Sequence, residues 1–61
     1  MELKEGLEFY RRCLEHAKLS LSALIKDKSI PEERKQVLID KLLDRITEFQ
    51  KIIDVIEELL R

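Results

Sequence analysis

Apolar residues recur along the chain at alternating steps of four and three positions, in two separate runs. This is the a/d heptad spacing of α-helices that pack along a common seam. The first run is Leu3, Leu7, Tyr10, Leu14, Ala17, Leu21 and Leu24, and the second is Ile39, Leu42, Ile46, Phe49, Ile53, Ile56 and Leu60. The pattern predicts an all-α fold made of two long helices.

The only proline of the chain, Pro31, lies between the two runs. The segment Ser29-Ile30-Pro31-Glu32 matches the S-x-x-E capping box, in which the serine hydroxyl and the glutamate side chain satisfy free amides at a helix start. Proline is tolerated in the first turn, where its missing N–H removes no helical hydrogen bond. We therefore expect one domain over residues 1–61, with helix 1 at about 2–28, a turn at 29–31 and helix 2 at about 31–61.

A single antiparallel register satisfies both runs, so the expected fold is a two-helix hairpin. From the open end to the turn, this register pairs Leu3 with Leu60, Leu7 with Ile56, Tyr10 with Ile53, Leu14 with Phe49, Ala17 with Ile46, Leu21 with Leu42 and Leu24 with Ile39. The next pair, Lys28 with Lys35, is expected at the solvent-exposed mouth of the turn. The short connection that this register needs is where the capping signal lies.

The two edges of the seam differ in character. On one edge helix 1 carries the small residues Gly6, Cys13 and Ser20, and helix 2 carries Leu38, Ile52 and Leu59, interrupted by Arg45. An apolar ridge beside small residues is self-complementary, so we expect a two-fold homodimer that forms a four-helix bundle. The expected interface residues are Leu38, Ile52, Leu59, Cys13 and Ser20. A monomer with scattered exposed apolar side chains is the alternative.

The opposite edge is polar, and we expect it to face water. On that edge the register places Lys4 near Glu57, Arg11 near Gln50 and Lys18 near Leu43. A Lys4–Glu57 ion pair is expected there, contributing only tenths of a kcal/mol if it is exposed.

Length and cysteine content also favour association. A chain of 61 residues forms one domain at most and buries only about 60% of the surface that its unfolded form exposes. Small domains compensate with disulfides, metals or oligomerisation. Since Cys13 is the only cysteine, an internal disulfide is excluded, and oligomerisation is the remaining ordinary route.

The charge balance argues against several partner classes. Twelve basic and thirteen acidic residues create no net field that would concentrate nucleic acid or anionic lipid. No apolar run approaches the roughly 20 residues of a membrane span, and the first residues lack the pattern of a signal peptide. The expectation is a cytoplasmic protein with no membrane partner.

Residues with catalytic or metal-binding chemistry are few. Cys13 and His16 are adjacent on one helix face, and two protomers together offer a Cys₂His₂ set. Such zinc sites, however, usually collect ligands from separate loops or repeated C-x₂-C elements. We therefore interpret the pair as a packed cysteine beside a solvated histidine. We expect no catalytic residue, no metal, no cofactor and no small-molecule substrate, hence no enzyme.

A second stripe follows the outer face of helix 1, and consists of Phe9, Arg12, His16, Leu19, Ala23 and Lys26. Aligned aromatic, aliphatic and cationic residues form an amphipathic patch. We assign Phe9, Arg12, His16 and Leu19 as candidate partner-binding residues. The alternative is that they pack against the other protomer in a bundle of different geometry. Val37 and Val55 look isolated, and no role is assigned to them.

About sixty residues folded at the middle around a heptad core resemble the Rop-like plasmid RNA-binding hairpins. The resemblance covers the whole length but is one of architecture only. It implies RNA contacts by Phe9, Arg12, His16 and Lys18. The leading interpretation is a homodimeric interaction module that regulates or inhibits a protein partner through its exposed helix faces. A Rop-like RNA-binding bundle is the second interpretation, and a structural or engineered bundle with no partner is the third.

Overall fold

The computed structural model of the chain describes residues 2–61. Helix α1 spans Leu3–Lys26 and helix α2 spans Glu32–Leu60, and the described residues include no β-strand. The two helices pack against each other and form a rod of 44 × 16 × 14 Å. The predicted all-α architecture and the two-helix hairpin are confirmed.

The core is built from the predicted seam. Leu7, Leu14 and Ile53 form its buried centre, and the side chains packed against them are Tyr10, Ile46, Phe49 and Ile56. The rings of Tyr10 and Phe49 lie with their centroids 6.2 Å apart. These residues belong to adjacent layers of the antiparallel register, so the packing agrees with that register.

Packing is tightest in the stretch of the hairpin from the Leu7 layer to the Ala17 layer. In the described part of the chain, the buried apolar side chains are Leu7, Leu14, Ala17 and Ile53. Nearer the turn, the seam residues Leu21, Leu24, Ile39 and Leu42 are only half-buried. The hairpin on its own therefore leaves part of its apolar seam accessible to water.

The turn is organised by Asp27 rather than by a capping box. The Asp27 carboxylate accepts hydrogen bonds from the Ser29 hydroxyl, at 2.6 Å, and from the Ser29 amide, at 2.8 Å. These two bonds, led by the hydroxyl, lower the pKa of Asp27 below its ordinary value. Pro31 is the N-cap residue of α2, and its side chain forms no capping hydrogen bond. The predicted capping box is wrong because the Ser29 hydroxyl is engaged by Asp27, as in an Asx turn.

Lys35 is buried, although the sequence predicts it at the exposed mouth of the turn. Its position continues the apolar seam of α2, so its aliphatic stem packs inward. Its ammonium group lies 3.5 Å from the carbonyl oxygen of Ile25, in the last turn of α1. A cation is favourable at a helix C-terminus, where the last carbonyls lack helical partners.

The polar edge carries a different ion pair from the predicted one. Glu57 accepts a hydrogen bond from the guanidinium of Arg11 at 3.0 Å, so the expected Lys4–Glu57 pair is wrong. Gln50, expected opposite Arg11, donates instead to Asp54 on its own helix. Arg11 is thereby free to extend along the edge to the next carboxylate, with which its guanidinium forms a charge-assisted hydrogen bond.

Candidate functional site

An open groove follows the edge of the hairpin that carries the small residues of α1. Its larger part has a volume of about 600 Å³ and lies nearer the turn. That part is lined by Ser20, Leu24, Leu38, Lys41, Leu42, Asp44 and Arg45. It continues into a part of about 230 Å³ lined by Cys13, His16, Ala17, Ser20, Leu42, Arg45 and Phe49. Since three residues line both parts, they form one feature, which we call the edge groove.

The edge groove exists because α1 has small side chains where α2 has large ones. Cys13 and Ser20 are half-buried and Gly6 is buried, so none of them extends far enough to cover the seam at this edge. Three of the residues predicted at a dimer interface, Cys13, Ser20 and Leu38, line the groove. The sequence did not single out its charged lining, Lys41 and Asp44, which take part in no seam pattern.

The other two predicted interface residues belong to an apolar cluster near the end of α2. Ile52 is half-buried, whereas Leu59 is 64% exposed. Val55 lies between them, sharing one surface depression with Ile52 and another with Leu59. The interpretation of Val55 as isolated was therefore wrong. Its spacing of three from Ile52 and four from Leu59, which places all three on one helix face, is the signal that identifies the cluster.

The outer face of α1 brings together most of the candidate partner-binding residues. Phe9, Arg12 and His16 line one shallow depression together with Cys13. The Phe9 ring makes an edge-to-face contact with Tyr10, with the centroids 5.3 Å apart. Because Cys13 and His16 also line the edge groove, the two surfaces adjoin.

Leu19 lies on the same outer face but outside that depression. It is 65% exposed, more than any other large hydrophobic side chain in the described part of the chain. The outer stripe is therefore an apolar surface with cationic groups beside it.

Residues 2–61 contain no cluster of three or more His, Cys, Asp and Glu side chains with the geometry to hold a metal ion. Within the same range, neither helix is both long and apolar enough to cross a membrane. The surface features described above are grooves and depressions open to solvent. Comparison of the chain with protein-family models, curated proteins and solved structures finds no match.

Proposed function

We propose that the chain is a small, non-enzymatic interaction module that acts as a homodimer in the cytoplasm and regulates or inhibits a protein partner. A single observation carries the proposal: one hairpin leaves a large apolar surface in contact with water. The exposed large hydrophobic side chains lie on both helices and include Phe9, Leu19, Val55 and Leu59. Exposed large hydrophobic side chains in this number on a chain of 61 residues favour association, because their burial in an interface removes apolar surface from water.

The total accessible surface supports association of two copies. It is 5072 Å², whereas a folded monomer of 7.3 kDa exposes about 4,200 Å² on average. The difference of about 900 Å² is close to the roughly 800 Å² that each partner buries in a specific interface. Covering one face with a second copy brings the exposed area per chain to the value expected for a stable fold.

A protein partner is favoured at the outer stripe of α1. Phe9 is 47% exposed and Leu19 is 65% exposed, and aromatic and aliphatic side chains on one helix face are the anchors used when helices dock in grooves. Arg12 and His16 lie between them and supply hydrogen-bond donors. The anchors Phe9 and Leu19 should carry most of the binding energy, since a few buried residues dominate most interfaces.

RNA binding is the second candidate because Arg12 and Lys18 on α1 are both exposed. The formal net charge of −1 disfavours it, since affinity for nucleic acid comes mainly from cationic contacts to phosphates. The two candidates predict different salt dependence. RNA binding should weaken log-linearly with salt, whereas apolar helix docking should change little.

The experiment is affinity capture from the native host with the full chain as bait, analysed by mass spectrometry and by RNA sequencing. Leu19→Ala should abolish capture of the protein partner. Val37→Ala is the matched control, since Val37 is an exposed aliphatic residue on α2, away from the stripe, and should leave capture intact.

The other outcomes contradict the proposal in distinct ways. Capture of RNA that Arg12→Gln and Lys18→Gln abolish, and that falls steeply with salt, would establish the RNA-binding function instead. Capture of neither class, from a chain that is folded and dimeric, would leave a structural bundle with no partner. A monomeric mass in sedimentation at micromolar concentration would contradict the homodimer.

A further inference from the structure

We infer that the edge groove is the binding site for a second copy of this chain, and that the two-fold axis of the dimer runs parallel to the helices. In this arrangement α2 of each copy lies in the edge groove of the other. The inference rests on the homodimer proposed above, and it adds the surface, the orientation and the residues that meet.

The shape of the edge selects another copy as its occupant. A two-fold interface uses the same patch on both subunits, so the patch must complement itself. Here Ser20 of α1 lines the groove together with the larger Leu38 of α2, and the antiparallel register sets the small Cys13 opposite the larger Ile52. Each copy therefore offers both a recess and a ridge that fits a recess.

The area also agrees with a second copy. The excess surface of the hairpin over a typical monomer, about 900 Å², matches what one partner contributes to a stable dimer of standard size. Leu24 and Leu42, two seam residues that the hairpin leaves half-buried, line this same groove. A copy seated there covers the side chains that the hairpin leaves half-exposed.

The register sets the direction of the axis. In each hairpin the antiparallel register places Ile52 and Cys13 at the same level along the helix axes, and Leu59 and Gly6 at another common level. An axis along the helices brings α2 of one copy against α1 of the other without changing these levels. Ile52 of one copy then meets Cys13 of the other, and Leu59 meets Gly6.

The alternative axis, perpendicular to the helices, would set α1 against α1 and α2 against α2. Large side chains would then face large ones and small would face small. Such an arrangement leaves a gap beside one helix pair and overpacks the other, and both faults are destabilising.

Arg45 interrupts the apolar edge and is accounted for by the same arrangement. It lines the groove together with Ser20, and the register places the two residues at the same height. With the axis along the helices, Arg45 of each copy meets Ser20 of the other, whose hydroxyl oxygen accepts a hydrogen bond. The Arg45 guanidinium therefore keeps a hydrogen-bond acceptor when the groove is covered. A buried charged donor without an acceptor would destabilise the dimer.

The first test is a matched pair of serine substitutions on α1. Ser20→Arg places a long cation in the groove beside Arg45, and Ser22→Arg places the same group on an exposed position of the opposite side. We expect Ser20→Arg to raise the dimer dissociation constant about tenfold or more in sedimentation. Ser22→Arg should leave it unchanged, and circular dichroism should show equal helix content in both variants.

Leu19→Arg tests whether the dimer interface lies at the edge groove or at the outer stripe. If Leu19→Arg dissociates the dimer and Ser20→Arg does not, the second copy lies on the outer stripe and the inference is overturned, while the homodimer stands. If the wild-type chain is itself monomeric, both the proposed homodimer and the edge groove as its interface are contradicted.

The direction of the axis is tested by disulfide trapping in mixed dimers. Wild-type chain, which carries only Cys13, is mixed with a Cys13→Ser, Ile52→Cys variant and oxidised. We expect a disulfide-linked heterodimer joining Cys13 to position 52, and within-chain bonds are excluded because each chain has one cysteine. A linked heterodimer formed instead with a Cys13→Ser, Ser20→Cys variant would show the perpendicular axis and overturn this orientation.

Discussion

The ammonium group of Lys35 lies 3.5 Å from the carbonyl oxygen of Ile25, so a side chain from the start of α2 closes the last turn of α1. The side chain is buried, with its stem along the seam and its charge at the negative end of a helix. Lys35 thus joins the two helices near the turn, where the apolar seam residues are only half-buried.

Substitutions at Lys35 should separate its two roles. Lys35→Met keeps the buried stem and loses the charge, so we expect a loss of about 0.3–1 kcal/mol in the free energy of unfolding. Lys35→Glu places a carboxylate at the negative helix end and should cost more than about 1 kcal/mol. Urea unfolding at fixed protein concentration measures both. Lys28→Glu, at an exposed position of the turn, is the control, and an equally small effect at both sites would contradict the assigned role.

Truncation of leucines along α1 should follow their burial. Leu14→Ala removes a buried core side chain and should lower the free energy of unfolding by about 2–5 kcal/mol. Leu19→Ala changes an exposed residue, and its effect should stay within about 0.5 kcal/mol. Leu21→Ala, at a half-buried position, should fall between them. Equal losses at positions 14 and 19 would show that the outer stripe is packed.

The Arg11–Glu57 pair should couple the two helices only weakly. Its side chains are 56% and 42% exposed, so a double-mutant cycle with alanine should give about 0.2–1 kcal/mol. The coupling should decrease as salt is added, because exposed charges are screened. The same cycle for Lys4 and Glu57 should give a coupling near zero. A larger value for that second cycle would restore the pair that the sequence predicted.

The pKa of Asp27 should depend on Ser29. Two hydrogen bonds from Ser29 hold the pKa of Asp27 below its ordinary value. Ser29→Ala removes the hydroxyl bond, so the pKa should rise towards that value in a carbon-detected NMR titration. Ser22→Ala should leave the pKa of Asp27 unchanged. No change with Ser29→Ala would mean that the amide bond alone lowers it.

The same shift predicts the pH dependence of stability. Because the pKa of Asp27 is lower in the folded than in the unfolded chain, the ionised carboxylate stabilises the fold. This contribution is present above the unfolded pKa and is lost as the pH falls through the folded pKa. Asp27→Asn should remove it, so the wild-type and variant stabilities should converge in acid and diverge towards neutral pH.

Several features of the candidate surfaces could be predicted from the sequence. The contrast between Ser20 on α1 and Leu38 on α2 predicts an uneven edge, and the structure has a groove there. Helical spacing likewise places Phe9 and His16 on one outer face, where they share a depression. Val55 lies three positions after Ile52 and four before Leu59, so its place in the apolar cluster follows only when the three residues are taken together.

The apolar pattern of the chain is enough to predict the two helices, their antiparallel pairing and the seam residues that form the core. It could do so because backbone geometry fixes which residues share a helix face, and the apolar period follows that geometry closely. The folded chain adds three contacts that the pattern does not predict: Lys35 is buried against Ile25, Ser29 bonds to Asp27 and Glu57 pairs with Arg11. Long or polar side chains have several possible partners within reach. The free energies of these alternative contacts differ by about a kcal/mol or less, and the spacing of residues along the chain does not encode such differences.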